Sequence, residues 1–346
     1  IPNLSFLKAP IFEIKLVSAP FFKNRLFPIY YFALLPMRLW FDRPDMMFWP
    51  NYMLPIITFG KSLVVLTEDV YYEAHTGKLP FRYRLAYGIF GWWTAKFATK
   101  IIAISETSKK NLAKLYHIEP NRIIVNHLGV DQDENQNAKI KMAYSAEVAA
   151  STAKAEQNSN FKFKNNSYIL FAGQAFPRRH LRETSLAFKK LVPEFPDLKL
   201  IIIGPDKYPE PTIDPLIRML NKELGREAVI HKEYVSNEEL TELYAGARTL
   251  VYVSDREAFG LPPMEALSFG VPPIIADNEL GCELFGEYAF YAKSGEIDDI
   301  AETIRQALNN KGKTAKIKSE GPEFVKKYNW KSFTDRFLDE IKKYEN

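Results

Sequence analysis

Two glutamates, Glu257 and Glu265, stand on either side of a short segment that contains one glycine and two prolines. Proline suits the first turn of a helix, so we expect a helix to begin near Pro263, with Glu265 in its first turn. Backbone amides just before that helix would lie at the positive end of its dipole, where they could hold a phosphate. These amides belong to Ala258, Phe259, Gly260 and Leu261.

The two carboxylates indicate what lies beside such a phosphate. An ionised carboxylate only accepts hydrogen bonds, which suits hydroxyl-rich groups such as a ribose or a hexose. A phosphate placed between two carboxylates would be repelled, so the sugars should lie on either side of it. Taken alone, Glu265 could be a helix-end charge and Glu257 a solvated side chain. The whole segment favours a ligand built as ribose–diphosphate–sugar.

The elements around this segment place it at a functional edge. Apolar strands alternate with amphipathic helices from Tyr168 to Leu308, which predicts a parallel sheet covered on both faces by helices. Ligands bind beyond the carboxyl ends of the strands in such sheets. The Glu257–Glu265 segment directly follows the predicted strand Thr249–Val253. Other predicted strands end at Ala172, Ile203 and Ala276, so chemistry is also expected there.

The chain divides by composition into regions that predict two domains. Residues 1–131 are rich in aromatic side chains and contain strand and helix patterns, whereas 132–167 are polar and predict a linker with a weak helix. The alternating second domain starts at residue 168. The first residue is Ile1, and Phe12–Val17 already has a strand pattern, so we expect the first strand of the N-terminal domain to be missing.

The bulk composition limits the classes of function. A net charge of +4 is mildly basic, which disfavours binding to duplex nucleic acid and fits anionic phosphates or an anionic membrane surface. Cys282 is the only cysteine, so the chain has no internal disulfide, and we expect it to be a small core residue. With no visible signal peptide, we expect a cytoplasmic protein, peripheral at most to the inner face of a membrane.

The chain resembles a known family. The Glu257–Glu265 segment is similar to the E-x7-E signature of the retaining glycosyltransferases of family 4, which have the GT-B fold. Three further stretches match that family in order: Phe171–His180, Tyr234–Ala247 and Ala266–Ala276. The resemblance is strong over 165–310 and weak over 45–131. It implies an α/β protein with two Rossmann-like parallel-sheet domains that face a cleft.

The resemblance also implies roles for residues of the C-terminal domain, 168–324. Glu265 would bind the nucleotide ribose, Glu257 would bind hydroxyls of the donor sugar, and the loop amides would face the diphosphate or sugar. Arg179 stands where the family has a lysine that neutralises the departing diphosphate. Gln174 replaces the usual arginine; Arg178 either compensates for it or is a solvated loop cation. The remaining donor-side positions expected from the family are Gly173, Gly204 and Val235.

The N-terminal half departs further from the family. Leu66–Val70 stands where a V-H-D-L sequence is expected, so Asp69 matches the aspartate and Glu68 replaces the histidine. Glu68 could still accept hydrogen bonds from a sugar, although it adds negative charge near the reacting centre. The family's glycine-rich loop is not found. The closing residues 325–346 resemble the helix that crosses back to the N-terminal domain.

Other patterns in the chain are weaker signals of function. Asp131-Gln-Asp133 has a D-x-D metal pattern, but it follows the end of the first domain and we expect no metal site there and no cofactor. Among the histidines only His180, beside Arg179, is singled out. The aromatic and basic stretches Phe21–Phe27 and Gly91–Phe97 fit either a membrane surface or core packing with solvated cations.

The expected function is therefore transfer of a hexose, mannose or glucose, from a nucleoside-diphosphate sugar to a glycan or lipid-linked acceptor. Glu257, Arg179 and Asp69 are the expected catalytic residues. An alternative is a sugar-nucleotide-binding relative with little or no transfer activity, which the replacements at Glu68 and Gln174 favour. An epimerase or phosphorylase on the same fold fits less well, because no lysine is placed for pyridoxal phosphate.

Overall fold

The computed structural model describes residues 30–57, 60–76, 80–130 and 167–344. Several predicted features lie outside these residues. They are the strand Phe12–Val17, the stretch Phe21–Phe27, the Asp131–Asp133 pattern and the linker 132–167 apart from its last residue.

The described N-terminal residues form a four-stranded parallel sheet in the order β1-β2-β3-β4. Its strands are β1 Met46–Trp49, β2 Lys61–Val65, β3 Lys100–Ala103 and β4 Ile123–Val125. Its helices are α1 Leu35–Asp42, α2 Glu68–His75, α3 Phe81–Phe97 and α4 Glu106–Tyr116. The central strands carry side chains that are buried on both faces, such as Leu63, Val64 and Ile101, as expected for a parallel sheet.

The C-terminal residues form a six-stranded parallel sheet in the order β10-β9-β8-β5-β6-β7. Its strands are β5 Tyr168–Ala172, β6 Lys199–Ile203, β7 Val229–Lys232, β8 Leu250–Tyr252, β9 Pro273–Ala276 and β10 Phe290–Ala292. Its helices are α5 Leu181–Leu191, α6 Ile213–Leu224, α7 Asn237–Gly246, α8 Leu261–Ser268, α9 Glu279–Phe285, α10 Ile297–Asn309 and α11 Lys311–Val325. The chain runs outward from β5 through β7 and then returns to β8 on the other side of β5. The prediction of two parallel-sheet α/β domains is confirmed.

The last helix, α12 Trp330–Lys342, packs against the N-terminal sheet. The Asn126 amide donates to the Phe333 carbonyl at 3.0 Å, and the Arg336 guanidinium donates to the Asn126 side-chain oxygen at 2.9 Å. The rings of Phe48 and Phe337 meet edge to face. These contacts tie the end of the chain to the first sheet.

The prediction for Cys282 is wrong, because its side chain is exposed on α9. This short helix is amphipathic, and its buried face is formed by Leu280, Gly281, Leu284 and Phe285. Position 282 therefore falls outside the core-facing stripe.

Candidate functional site

The predicted site lies where the strand order of the second sheet reverses, between β5 and β8. The loops that leave the carboxyl ends of these two strands diverge there and open a crevice, the usual ligand position in such sheets. Gly204, at the end of β6, packs directly on the loop after β5: a Cβ on it would lie 2.0 Å from the Gly173 carbonyl oxygen, and its φ is +130°. Only glycine fits this close approach.

Arg179 and Glu257 join the two loops across the crevice. The Arg179 guanidinium donates from Nε to Glu257 Oε1 at 2.7 Å and from Nη2 to Oε2 at 3.1 Å. Its remaining nitrogen, Nη1, donates to the Gln174 carbonyl at 2.9 Å. This is the two-pronged arrangement that a guanidinium forms with a carboxylate and an ammonium does not.

Two further side chains hold Glu257. The Ser254 hydroxyl donates to Oε1 at 3.1 Å and the Tyr252 hydroxyl donates to the same oxygen at 3.3 Å. Burial is the main reason that the pKa of Tyr252 is raised, and the charge of Glu257 raises it further. The hydroxyl therefore stays protonated and remains a donor.

The loop 258–260 leads into helix α8, which begins at Leu261 rather than near Pro263. Glu265 consequently lies in the second turn of this helix, and its predicted place in the first turn is wrong. Gly260, with φ +93°, caps the helix in the left-handed conformation. Among the residues that the structure describes, the backbone N–H groups of Ala258, Phe259 and Gly260 meet no hydrogen-bond acceptor.

The loop also forms one wall of a narrow pocket, which the start of α9 closes on the other side. The pocket lining includes Glu257, Phe259, Gly260, Pro263, Asn278 and Phe285. The Phe259 ring itself is buried against Tyr328, so the loop offers its main chain to this pocket.

Glu265 is held by a tyrosine from the neighbouring helix α7. The Tyr244 hydroxyl donates to Glu265 Oε2 at 2.7 Å. Tyr244 is buried, and burial together with the Glu265 charge raises its pKa well above the ordinary value, so this hydroxyl remains a donor. The contact fixes the direction of the carboxylate along the helix face.

Asp69, in the first turn of α2, is influenced by charges from both domains. Burial is the main reason that its pKa is raised; the Arg178 charge lowers the pKa and the Glu257 charge raises it. Asp69 therefore lies within electrostatic range of Arg178 and Glu257, which belong to loops of the C-terminal domain. A second contact joins the same surfaces, because the Arg256 guanidinium lies 4.3 Å from the centre of the Tyr72 ring on α2.

Glu68 does not take the place of the family's histidine, and the prediction that it could accept hydrogen bonds from a sugar is wrong. Only 3% of the residue is exposed. Its carboxylate accepts from the Ser108 hydroxyl at 2.5 Å and from the Asn111 amide at 3.2 Å, both on α4. Adjacent residues at the start of α2 thus point in different directions, with Asp69 toward the cleft and Glu68 into the domain.

The other predicted donor-side residues fall in two groups. Gly173, Gln174 and Arg178 lie in the β5–α5 loop that carries Arg179. The Arg178 guanidinium stacks 4.5 Å from the Phe176 ring, and its Nε is buried without a partner among the described residues. The Val235 side chain is buried in the core, which leaves only its main chain for contact with a ligand.

His180 lies at the junction of three loops. Its Nε2 is 2.7 Å from the Asp255 carboxylate, and its Nδ1 is 3.8 Å from that of Glu183. Contact with Glu183, followed by contact with Asp255, raises the pKa of His180 to about 9 against the opposing effect of burial. His180 is therefore a cation at neutral pH, next to Arg179.

The site contains residues that the sequence does not single out. These are Tyr244, Tyr252, Ser254, Arg256 and Tyr72. Tyrosine and serine are common in strands and loops, and nothing in their spacing signals that their hydroxyls meet a glutamate. Within the described ranges, no group of three or more His, Cys, Asp or Glu side chains is arranged to hold a metal ion.

The α3 segment Gly91–Phe97 divides between core and surface. Thr94 and Ala95 are buried, whereas Trp92, Lys96 and Phe97 are exposed. No helix among residues 30–57, 60–76, 80–130 and 167–344 is both long and apolar enough to cross a bilayer.

Comparison with protein families gives two matches. A model described as "Glycosyl transferases group 1" matches residues 152–324, and one described as "Glycosyltransferase Family 4" matches residues 6–134. The first alone covers half of the chain.

Curated relatives and solved structures agree with this. The O-antigen chain mannosyltransferase B of Escherichia coli is 26% identical over 249 residues, which are 71% of this chain and 61% of that protein. The serotype-specific mannosyltransferase WbdA of Escherichia coli is 28% identical over 258 residues, 71% of this chain and 29% of that protein. The chain thus spans less than two thirds of the length of either relative.

The structure of HepE from Anabaena in complex with UDP-glucose superposes with a TM-score of 0.67 at 15% identity, covering 90% of this chain and 81% of that one. The GT-B fold expected from the resemblance is confirmed.

Proposed function

This chain belongs to the group 1 glycosyl transferases, and on that premise we propose that it transfers a hexose, with retention of configuration, from a nucleoside-diphosphate sugar to a glycan or lipid-linked acceptor. Mannose is the sugar that we propose, because the relatives described above are named mannosyltransferases. The UDP-glucose complex of HepE supports a nucleotide sugar as the donor.

The observation that carries this proposal is the row of unpaired loop amides at the start of α8, between Glu257 and Glu265. These N–H groups and the helix end suit the diphosphate. We assign the ribose to Glu265 and the hydroxyls of the sugar to Glu257. Arg178 and Arg179 provide positive charge for the leaving diphosphate, with Arg178 standing in for the arginine that Gln174 replaces.

We infer a mechanism based on positioning and charge stabilisation. Glu257 accepts hydrogen bonds from Arg179, Ser254 and Tyr252, so its oxygens are poor nucleophiles. Retention would then arise when the acceptor attacks on the face from which the diphosphate leaves. Asp69 faces the same region from the other domain and would orient the acceptor hydroxyl.

The test is release of nucleoside diphosphate from a panel of UDP-, GDP- and ADP-sugars, with calorimetry for binding. We expect one donor to turn over, and Glu265→Ala and Arg179→Ala each to lower that turnover about tenfold or more. Arg218→Ala, at an exposed position on α6, is the matched control. Undiminished turnover in both site variants would overturn the assignment.

A second candidate is a sugar-nucleotide-binding relative without transfer. The orientation of Glu68 favours it, because no side chain from that position enters the cleft in place of the family's histidine. Calorimetric binding of a donor without turnover, for every acceptor tried, would support this candidate over transfer.

We further propose that transfer needs no metal ion, because guanidinium groups and loop amides meet the charge of the diphosphate. Addition of EDTA should leave the rate unchanged. Loss of activity that Mg²⁺ or Mn²⁺ restores would contradict this.

Helix α3 supports a peripheral contact with an anionic membrane surface. Phe81, Leu85, Ile89 and Trp92 are exposed along one face of this helix, and it has basic but no acidic side chains. Such a stripe suits the headgroup region of anionic lipids. Trp92→Ser should reduce co-sedimentation with phosphatidylglycerol vesicles, whereas Met219→Ser, at an exposed position on α6, should not.

A further inference from the structure

Glu283, on α9 of the C-terminal domain, caps helix α4 of the N-terminal domain. Its Oε1 accepts from the backbone N–H of Glu106 at 2.7 Å. Its Oε2 accepts from the Thr107 N–H at 2.7 Å and from the Thr107 hydroxyl at 2.6 Å. His127 Nε2 lies 3.4 Å from the same carboxylate.

The capped helix, α4, has its first turn completed by residues from both domains. Ser105 is the ordinary cap: its hydroxyl oxygen accepts from the Ser108 N–H at 2.9 Å. The same hydroxyl donates to the Ala258 carbonyl of the donor loop at 3.3 Å. Glu283 accepts hydrogen bonds from the N–H groups of the two intervening residues, and its carboxylate can reach them only while the domains are together.

The charge of Glu283 is stable over the working range of pH. Burial raises the pKa of this carboxyl, but hydrogen bonds from His127, Thr107 and Glu106 outweigh it and lower the pKa to about 2. The group is therefore ionised wherever the protein is folded and active, and it stays attracted to the positive end of α4.

Helix α4 in turn holds the start of α2. Ser108, in the first turn of α4, and Asn111, in the next turn, donate to the two oxygens of Glu68. Glu68 is the residue immediately before Asp69, which faces Arg178 and Glu257. Hydrogen bonds thus link α9 of the C-terminal domain to the start of α4, and α4 to Glu68, whose neighbour in the chain is Asp69.

We propose that Glu283 is a positioning residue: it seats α4 on the donor domain and thereby sets Asp69 opposite the Arg179–Glu257 pair. The role rests on the proposed function, since it concerns the geometry of transfer and leaves donor binding alone. It also gives buried Glu68 a purpose, as the link between α4 and Asp69.

Glu283→Gln tests the proposal in the full chain. The amide keeps the size of the side chain but loses the charge and one acceptor oxygen. We expect kcat to fall about tenfold or more, because a small displacement of reacting groups is costly, while the donor Kd changes by less than about twofold. Small-angle scattering should show a larger radius of gyration for the variant.

Glu279→Gln is the matched control on the same helix. Glu279 pairs with Lys110 across the same interface, but their side chains are 58% and 66% exposed, and exposed ion pairs contribute little. Its kcat and radius of gyration should match those of the wild type. Thr107→Val, which removes only the hydroxyl donor, should fall between the two variants.

The outcomes separate this proposal from the proposed function. If the wild type transfers no sugar, the proposed function is wrong, but scattering still tests whether Glu283 holds α4 against the C-terminal domain. A larger radius of gyration in Glu283→Gln and an unchanged one in Glu279→Gln would support this role of Glu283. Unchanged kcat and unchanged radius in Glu283→Gln would overturn it. If Glu283→Gln does not fold, failure of Thr107→Val to lower kcat would overturn it instead.

Discussion

The two edges of the cleft are built differently. On the donor side, Glu257 is held by Arg179, Ser254 and Tyr252, and Glu265 is held by Tyr244. On the acceptor side, Asp69 accepts no hydrogen bond from any residue in the described ranges, and its neighbours across the cleft act on it through charge. One edge is preorganised by its own side chains, while the other depends on how the domains meet.

Under the proposed function, this difference gives donor binding and sugar transfer separate structural origins. The proposed donor carboxylates, Glu257 and Glu265, are oriented by side chains of their own domain, so donor binding should depend little on the domain orientation. Asp69, by contrast, would orient an acceptor only when the N-terminal domain is positioned correctly against the C-terminal domain. Substitutions on the two edges should therefore affect different kinetic constants, and each prediction below tests that separation.

The largest effect should come from Glu257→Gln. The amide keeps the shape but removes the charge that pairs with Arg179 and offers one acceptor oxygen in place of two. We expect kcat/KM to fall by about 10²–10³, as for the loss of a main electrostatic group. Steady-state kinetics and calorimetry on the donor give the measurement, with Glu302→Gln on the surface of α10 as control. Equal effects in both variants would contradict a site role.

Asp69→Asn should separate the two edges most clearly. Loss of the carboxylate should lower kcat by about 10²-fold, while the donor Kd stays within about twofold. The pH profile gives a second readout. Because burial raises the pKa of Asp69, the ionised form and the activity that needs it are lost, as pH falls, at a higher pH than for an ordinary aspartate. The variant should lack this acid limb. A weakened donor Kd with unchanged kcat would place Asp69 on the donor side.

The donor domain is the part that the sequence predicts well, because its signals are local. The predicted alternation of strands and helices from Tyr168 to Leu308 is confirmed, and its helices include Leu181–Leu191, Ile213–Leu224 and Asn237–Gly246. The apolar spacing that predicts each helix lies within its own segment. Parallel strands with helical crossovers then place the Glu257 loop at the carboxyl ends of the strands.

The contacts between distant residues were not predictable in this way. Arg179 and Glu257 are 78 positions apart, and no periodicity states that they form a fork. Glu68 shows the same limit at short range, because its side-chain direction is set by donors on α4, a separate helix. Sequence patterns therefore predict candidate residues for the site, whereas the partners that orient these residues appear only in the folded structure.

His180→Gln tests whether charge holds the β5–α5 loop, which carries His180, to the β8–α8 loop, which carries Asp255. The folded-state pKa of about 9 is raised above the ordinary 6.5, so the stabilisation is complete below about pH 6.5 and is lost as pH rises through 9. The variant should therefore melt a few degrees below the wild type at pH 6, on the order expected for a partly buried pair. At pH 10 the two melting temperatures should converge. A constant difference across this range would show that only packing is lost.

Tyr244→Phe should give the smallest effect and the finest test of the donor edge. It removes one neutral hydrogen bond to Glu265, worth about 0.5–1.5 kcal/mol, so the donor Kd should rise roughly two- to tenfold. Because Glu265 is assigned to the ribose, far from the reacting bond, kcat at saturating donor should stay unchanged. Tyr234→Phe is the control, since that side chain is exposed. A fall in kcat with an unchanged Kd would move Glu265 from ribose binding to the reacting sugar, and the donor edge would then contribute to transfer as directly as Asp69.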